Sequence, residues 1–291
     1  MNESVRPRRS VLYMPGSNAR ALEKAQTLAA DGFIFDLEDA VGPDAKEAAR
    51  EAVTEAMRTR DYGHKERIVR VNALSTPWGY QDVVRASTCG ADAILIPKVE
   101  SADTVRQTVA IMNASGAPAS MAVWCMMETP LGILHAEQIA SSSPRLAVLV
   151  MGTSDLTKDL HASHTPDRLP QLASLAVSLL AARAYGLGII DGVHLDLNDE
   201  QGFERSCIQG RDLGFDGKTL IHPKTIEVAN RVFAPSQQEI DWARKIAEAH
   251  ERARSEGKGV VVVDGKLIEN LHVEAAQRTV RLAEAIAART S

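Results

Sequence analysis

Residues 121–151 read MAVWCMMETPLGILHAEQIASSSPRLAVLVM, and this stretch decides the fold. It opens on one apolar run, 121–127, and closes on another, 146–151. Both are too short for a typical helix, and short apolar runs of this kind suit strands buried on both faces of a parallel sheet. Between them Thr129 precedes Pro130, a capping residue before a proline at the first helical position. The stretch therefore reads strand, helix, strand. Outward from it, similar runs recur at 10–14, 33–37, 68–71, 93–96, 187–190 and 218–221, which makes eight. Helical segments lie between the runs. Residues 18–30 carry Ala and Leu at helical spacing, and 44–58 opens with Asp44 and Glu47 as a capping box. Eight βα units in series predict an α/β fold, a closed (β/α)8 TIM barrel rather than an open doubly wound sheet.

The eighth unit ends near Phe233, and Pro235 breaks the chain. Two domains are expected: a barrel over 1–235 and a C-terminal helix-hairpin-helix extension over 236–291. In the extension Ser236 and Glu239 form a second capping box. A helix should run from Gln237 to Glu256 and stop at Gly257. Residues 260–263, the turn Asp264-Gly265 and residues 266–268 read as a hairpin, and a last helix covers 270–288. Barrel closure does not require this tail, so a lid or an oligomer contact is expected of it.

Composition narrows the function classes. The chain has 291 residues, 45% of them apolar and 24% charged, the mix of a globular protein and not of a disordered one. A net charge of −5 and only 4% aromatic residues argue against a nucleic-acid partner, which needs a basic face and stacking rings. No apolar run approaches the roughly 18 residues of a membrane span, and MNESVRPRRS lacks the apolar stretch of a signal peptide. Cys89, Cys125 and Cys207 are odd in number with no CxxC spacing, which makes a reducing cytoplasm the expected location.

In such barrels the reacting groups stand at the C-terminal strand ends. The residues after the runs are Asp36, Glu38 and Asp39, then Arg70 and Asn72, then Lys98, Glu128, Asp155, Asp191 with His194, and His222. Several acids and one arginine converging on one face suggest a divalent cation. Magnesium takes one or two carboxylates with waters and substrate oxygens, and Glu128 with Asp155, at the ends of adjacent strands, is the best pair. Either acid could instead cap the helix that follows it. Arg70 within a strand needs an anionic partner; it could stabilise an oxyanion or enolate, or form an ion pair with Asp36 or Glu38. Lys98 is a candidate amine nucleophile or the partner of an acid. His194 and His222 are candidate bases or structural groups, and His161 and His164 belong to a polar loop. Cys125 reads as a small buried hydrophobe.

The segments RSVLYMPGSNARALEKA, FDLEDAVGPDAKEAAR, VRVN, ILIPKVE, METPLGIL, MGTSDL, IIDGVHLDLNDEQGF and GFDGKTLIHP resemble, in order, those of CitE-like proteins in the HpcH/HpaI aldolase/citrate lyase family. That group includes citrate lyase β subunits, malyl-CoA and citramalyl-CoA lyases, and (3S)-malyl-CoA thioesterases. The resemblance implies a TIM barrel, Mg2+ (with Mn2+ as a substitute), and a small-molecule CoA thioester of a β-hydroxy acid. It places the metal on Glu128 and Asp155, makes Arg70 the enolate-stabilising arginine, and brings Asp36 into the site. By the same analogy Arg20 and Lys24 would meet the CoA phosphates, unless they are exposed helix charges. Family lyases receive an acid from a neighbouring subunit. Glu269, in GKLIEN, stands where that acid is an Asp, so a homo-oligomer (trimer or hexamer) is implied, with the extension on a neighbouring subunit; otherwise Glu269 caps the last helix. The expected activity is Mg2+-dependent cleavage of a malyl-CoA-type ester to acetyl-CoA or propionyl-CoA and an α-keto acid such as glyoxylate. The alternatives are (3S)-malyl-CoA thioester hydrolysis, towards which the GKLIENLHV ending leans, a CoA-independent aldolase, and a citrate lyase β-type subunit working on a carrier-protein thioester.

Overall fold

The computed structural model of the chain describes residues 5–255 and 261–289. It divides into two compact units, one spanning Arg8–Phe233 and one made of the described residues from Ala234 onward with those up to Pro7. The first is a closed barrel of eight parallel strands in sequence order, with β1 pairing to β8. The strands are β1 (Ser10–Pro15), β2 (Gly32–Asp36), β3 (Glu66–Arg70), β4 (Ala93–Ile96), β5 (Ala122–Met127), β6 (Leu146–Met151), β7 (Gly188–Asp191) and β8 (Gly217–Leu220). Every apolar run becomes a strand, with ends shifted by a residue or two. The helices around them are α1 (Ala19–Lys24), α2 (Lys46–Thr59), α3 (Gly79–Ala86), α4 (Ala102–Ala114), α5 (Pro130–Leu134), α6 (Ala136–Ala140), α7 (Thr153–Asp159), α8 (Leu172–Ala184), α9 (Glu200–Leu213) and α10 (Ile226–Val232).

The two-residue period of the strands builds two cores. Alternate positions such as Val11, Ile34, Ile68, Leu95, Trp124 and Val150 fill the barrel interior. Their neighbours, among them Leu12, Phe33, Val69, Ile94 and Leu149, pack outward beneath the helices. Trp124 is fully buried and plugs the floor, with the Arg8 guanidinium 5.2 Å from its ring centroid. The N-terminal rim of the strands is bound by ion pairs. Arg8 grips Glu66 through two bonds of 2.7 and 2.9 Å, and Arg9 grips Asp31 at 2.8 and 2.9 Å. Arg67 meets Asp92 at 3.2 Å and Arg183 meets Asp216 at 2.8 Å.

Local chemistry sets the helix bounds, and two differ from expectation. Asn18 caps α1 by accepting the Ala21 N–H at 3.1 Å, but the helix stops at Lys24 instead of reaching residue 30. The Thr27 hydroxyl donates to the Lys24 carbonyl at 3.0 Å, a local bond that competes with helix continuation, and turns carry the chain into β2. No capping box forms at Asp44 and Glu47. Pro43 starts a 3-10 turn over Pro43–Ala45, so α2 begins at Lys46 without a side-chain cap. Thr129 does cap α5, accepting the Gly132 N–H at 3.0 Å, with Pro130 in the first turn.

In the second unit Ser236 and Glu239 bond reciprocally, at 2.7 and 3.2 Å, at the start of α11 (Gln237–Ser255). The expected stop at Glu256 and Gly257, and Val260 of the hairpin, lie outside the described residues. Antiparallel β9 (Val261–Val263) and β10 (Lys266–Ile268) join through Asp264 and Gly265, both at positive φ, as a two-residue hairpin requires. Then follows α12 (Asn270–Ala287). This unit has its own small core, including Ile246, Val263, Ile268 and Val273. No helix of the described residues is long and apolar enough to cross a membrane.

Candidate active site

The strand period decides which polar groups enter the barrel mouth. In the parallel register Asp36 of β2 stands beside Arg70 of β3, and both line one cavity of about 350 Å³. Arg70 Nε donates to Asp36 Oδ1 at 2.7 Å and Nη2 to Oδ2 at 2.5 Å, the two-pronged pairing that fixes a guanidinium plane. Asp36 also accepts the N–H groups of Glu38 and Ala40 at 2.8 and 3.1 Å, so the loop after β2 is tied to the same carboxylate. The ring of Tyr13 lies under Arg70, 4.9 Å from the guanidinium carbon. Arg70 Nη1, which Asp36 leaves free, lies 2.9 Å from Glu38 Oε2 and 3.6 Å from Met126 Sδ.

Glu38 is buried and has a second cation. Lys98 Nζ lies 2.5 Å from Glu38 Oε1, 3.8 Å from Asp39 and 3.9 Å from Asp155. Burial pushes the Glu38 carboxyl up, against the pull of Arg70 and Lys98. Beneath the loop, Lys46 Nζ donates to the carbonyls of Leu37 and Glu38 at 2.9 and 2.7 Å.

Glu128, after β5, accepts the Lys98 backbone N–H on Oε1 at 2.7 Å. It is almost fully buried, and burial pushes its carboxyl up to about 7. Gly152 packs so close that a Cβ there would collide with both Cβ and Oε2 of Glu128; only glycine leaves room for this carboxylate. Asp155, in the first turn of α7, is partly exposed and lines the same cavity. A hard divalent ion that takes two protein carboxylates and completes its shell with water or substrate oxygens fits this donor set. Among the described residues no three His, Cys, Asp or Glu side chains gather as a closed cage, so the remaining positions would be open. Apolar side chains, Met126, Met151, Val193, Leu195 and Ile221, line the rest of the cavity.

The expected convergence thus holds for Asp36, Glu38, Asp39, Arg70, Lys98, Glu128 and Asp155, and fails for others. Asp191 is one residue out of phase. Ile190 faces the barrel interior, and Asp191 turns outward, fully buried against Lys218 at 2.8 Å and Arg168 at 2.7 Å. Burial opposes ionisation there, but those two cations outweigh it and hold the Asp191 carboxyl low. Asn72 is structural: it donates to the Leu37 carbonyl at 2.8 Å and to Asp82 at 2.6 Å. His222 caps a 3-10 turn, its Nδ1 accepting the Lys224 N–H at 3.1 Å. His194 packs edge-on to Phe203, and its Nε2 is buried with no hydrogen-bond partner. Cys125 is buried in β5. His161 and His164 are exposed. Arg20 and Lys24 lie exposed in and at the end of α1. Glu269 is exposed in the second unit, at the cap of α12, with its backbone N–H on His272 Nδ1 at 3.0 Å. Of the flanking pair, Leu267 is exposed while Ile268 is buried in that unit's core.

Tyr13, Lys46 and Gly152 are the site's members that strand-end reading misses. Tyr13 was within reach, since Val11 and Tyr13 alternate along β1 and share the barrel interior. Nothing local marks Lys46 or Gly152.

A family model for HpcH/HpaI aldolase/citrate lyase matches residues 9–223, and the chain belongs to that family. It is 52% identical to a (3S)-malyl-CoA thioesterase of Cereibacter sphaeroides over 99% of both chains. It is 37% identical to the citrate lyase subunit beta of Escherichia coli K12, covering 96% of this chain and 94% of that one. The solved structure of protein CitE from Mycobacterium tuberculosis in complex with magnesium, acetoacetate and coenzyme A is similar with a TM-score of 0.75 at 29% identity, over 96% of this chain and 98% of that one.

Proposed function

We propose that this protein hydrolyses the thioester of a (3S)-malyl-CoA-type β-hydroxyacyl-CoA, with Mg2+ held by Glu128 and Asp155. The similarity that carries this reading is the 52% identity to a (3S)-malyl-CoA thioesterase over nearly all of both chains. It moves hydrolysis ahead of the carbon–carbon cleavage that the sequence alone ranked first. Bound there, Mg2+ supplies Lewis-acid polarisation and a template for the hydroxy-acid oxygens. The chain's own residues do the rest. Asp36 fixes the Arg70 plane, and Tyr13 supports its face. Arg70 Nη1 donates to the thioester oxygen as negative charge develops on it. Water bonds to the acyl carbon, the C–S bond breaks, and the sulfur takes a proton, giving malate and free CoA. Arg20 and Lys24 are exposed and suit the CoA phosphates.

The second reading is the lyase. An arginine placed to hold an oxyanion holds an enolate equally well, and citrate lyase β subunits are among the relatives. Incubation with (3S)-malyl-CoA and Mg2+ separates the two. Free thiol without glyoxylate supports hydrolysis, glyoxylate with acetyl-CoA supports the lyase, and inactivity rescued by a carrier protein overturns both.

Glu269 is proposed to act in a neighbouring subunit's site. Mixing Glu269→Ala with Asp155→Ala under subunit exchange should then restore turnover. Exchange confirmed by mass without recovery would count against it.

A further inference from the structure

Lys98 stands two residues beyond β4 with φ of 48°, in the left-handed region that side-chain-bearing residues seldom adopt. This turn aims the two polar ends of one residue at two different carboxylates. The backbone N–H takes Glu128 Oε1 at 2.7 Å, while the ammonium takes Glu38 Oε1 at 2.5 Å and lies 3.9 Å from Asp155. Glu38 is therefore shared, its other oxygen 2.9 Å from Arg70 Nη1. Asp36 already occupies Nε and Nη2 of that arginine, so Nη1 is the donor left for a ligand oxygen. A carboxylate facing one guanidinium commonly engages it with both oxygens. With Lys98 as a second cation, Glu38 can release Nη1.

We propose that Lys98 is the positioning residue that keeps Arg70 available: its ammonium holds one Glu38 oxygen, so that only the other stands against Nη1 for a ligand oxygen to displace, while its backbone N–H fixes Glu128. This rests on reading the cavity as the reaction site. It makes Lys98 a contributor to turnover without contact with the reacting atoms.

The test is a double-mutant cycle of Lys98→Met and Glu38→Gln, with turnover of (3S)-malyl-CoA followed by both free thiol and glyoxylate, and with crystal structures of wild type and Lys98→Met. Lys98→Met keeps the backbone N–H and removes the charge. It should lower kcat by roughly tenfold to a hundredfold, part of the effect of losing an oxyanion donor, with a smaller change in KM. In the Glu38→Gln background the same change should cost less than about threefold, because the buried charge that would close on Arg70 is then gone and only exposed Asp39, 3.8 Å from Nη1, remains. The crystal structure of Lys98→Met should show both Glu38 oxygens on Arg70 Nη1. Equal losses in the two backgrounds, or a Glu38 that stays in place, overturn the proposal. If Lys98→Met does not fold, Lys98→Asn, which tolerates left-handed backbone, takes its place in the cycle. If wild type turns over no malyl-CoA, the proposed function falls, and the position of Glu38 alone decides the role of Lys98.

Discussion

The two ends of the barrel use the same residue types to opposite effect. At the N-terminal rim four arginines face carboxylates: Arg8 with Glu66, Arg9 with Asp31, Arg67 with Asp92 and Arg183 with Asp216. At the mouth, five carboxylates (Asp36, Glu38, Asp39, Glu128 and Asp155) surround three cations (Arg70, Lys98 and Lys46). The carboxylates outnumber the cations that meet them, an imbalance that a bound cation would offset. Exposed Lys158, 3.9 Å from Asp155, is screened by solvent and does little to offset it. Paired charges close one end of the fold, and unpaired ones equip the other for a ligand.

The largest test of this contrast removes the excess. Glu128→Ala or Asp155→Ala should lower turnover by about 10³-fold or more, the scale of losing Lewis-acid stabilisation worth several kcal/mol. Mg2+ binding by calorimetry should weaken in step while the barrel stays folded. Normal turnover that remains EDTA-sensitive would refute the ligand assignment. The next test sets one arginine from each end side by side. Arg70→Lys keeps the charge and loses the planar fork, and turnover should drop by roughly 10²-fold, as when one oxyanion donor is lost. Arg9→Ala should instead cost about 2 kcal/mol of stability, less than a fully buried pair because Arg9 is partly exposed, with turnover per folded molecule intact. An Arg70→Lys variant that loses only stability would make the mouth another structural rim.

The smallest effect is in pH. Burial raises Glu128 from 4.5 to about 7, so the metal-free folded protein keeps a proton that the unfolded chain has released. Glu128 therefore withdraws stability as pH climbs from about 4.5 to about 7. Glu128→Gln should remove that slope. In EDTA, the variant should match wild type below about pH 4 and exceed it by about 3 kcal/mol above pH 7, measured by denaturant unfolding. Parallel stability curves would mean that the carboxylate is not held out of water.

The barrel was legible because each strand is a short apolar run set apart by helix-starting residues, and the run 121–127, Thr129 and Pro130 all did in the structure what their chemistry implies. The acids and arginine of the mouth were legible for a related reason: polar residues at the C-terminal ends of apolar strands have few other uses. What misled was phase. A strand end gives no sign of which face its last residue takes until the alternation is counted through, and Asp191 pairs outward with Lys218 because Ile190 and Thr219 face in. The left-handed turn at Lys98 left no mark at all. It depends on Glu128 and Glu38, 30 and 60 residues away, and distance along the chain hides such partners.

Trp124 and the layer around it make the barrel a vessel with a sealed base. Whatever enters the cavity must leave through the opening it came by. Were a ligand split there, as proposed above, the fragment nearer the rim would have to leave before the one behind it. The sequence of departure is then a matter of depth rather than affinity, and a high level of the outer fragment would stall the inner one even if the inner one were held loosely.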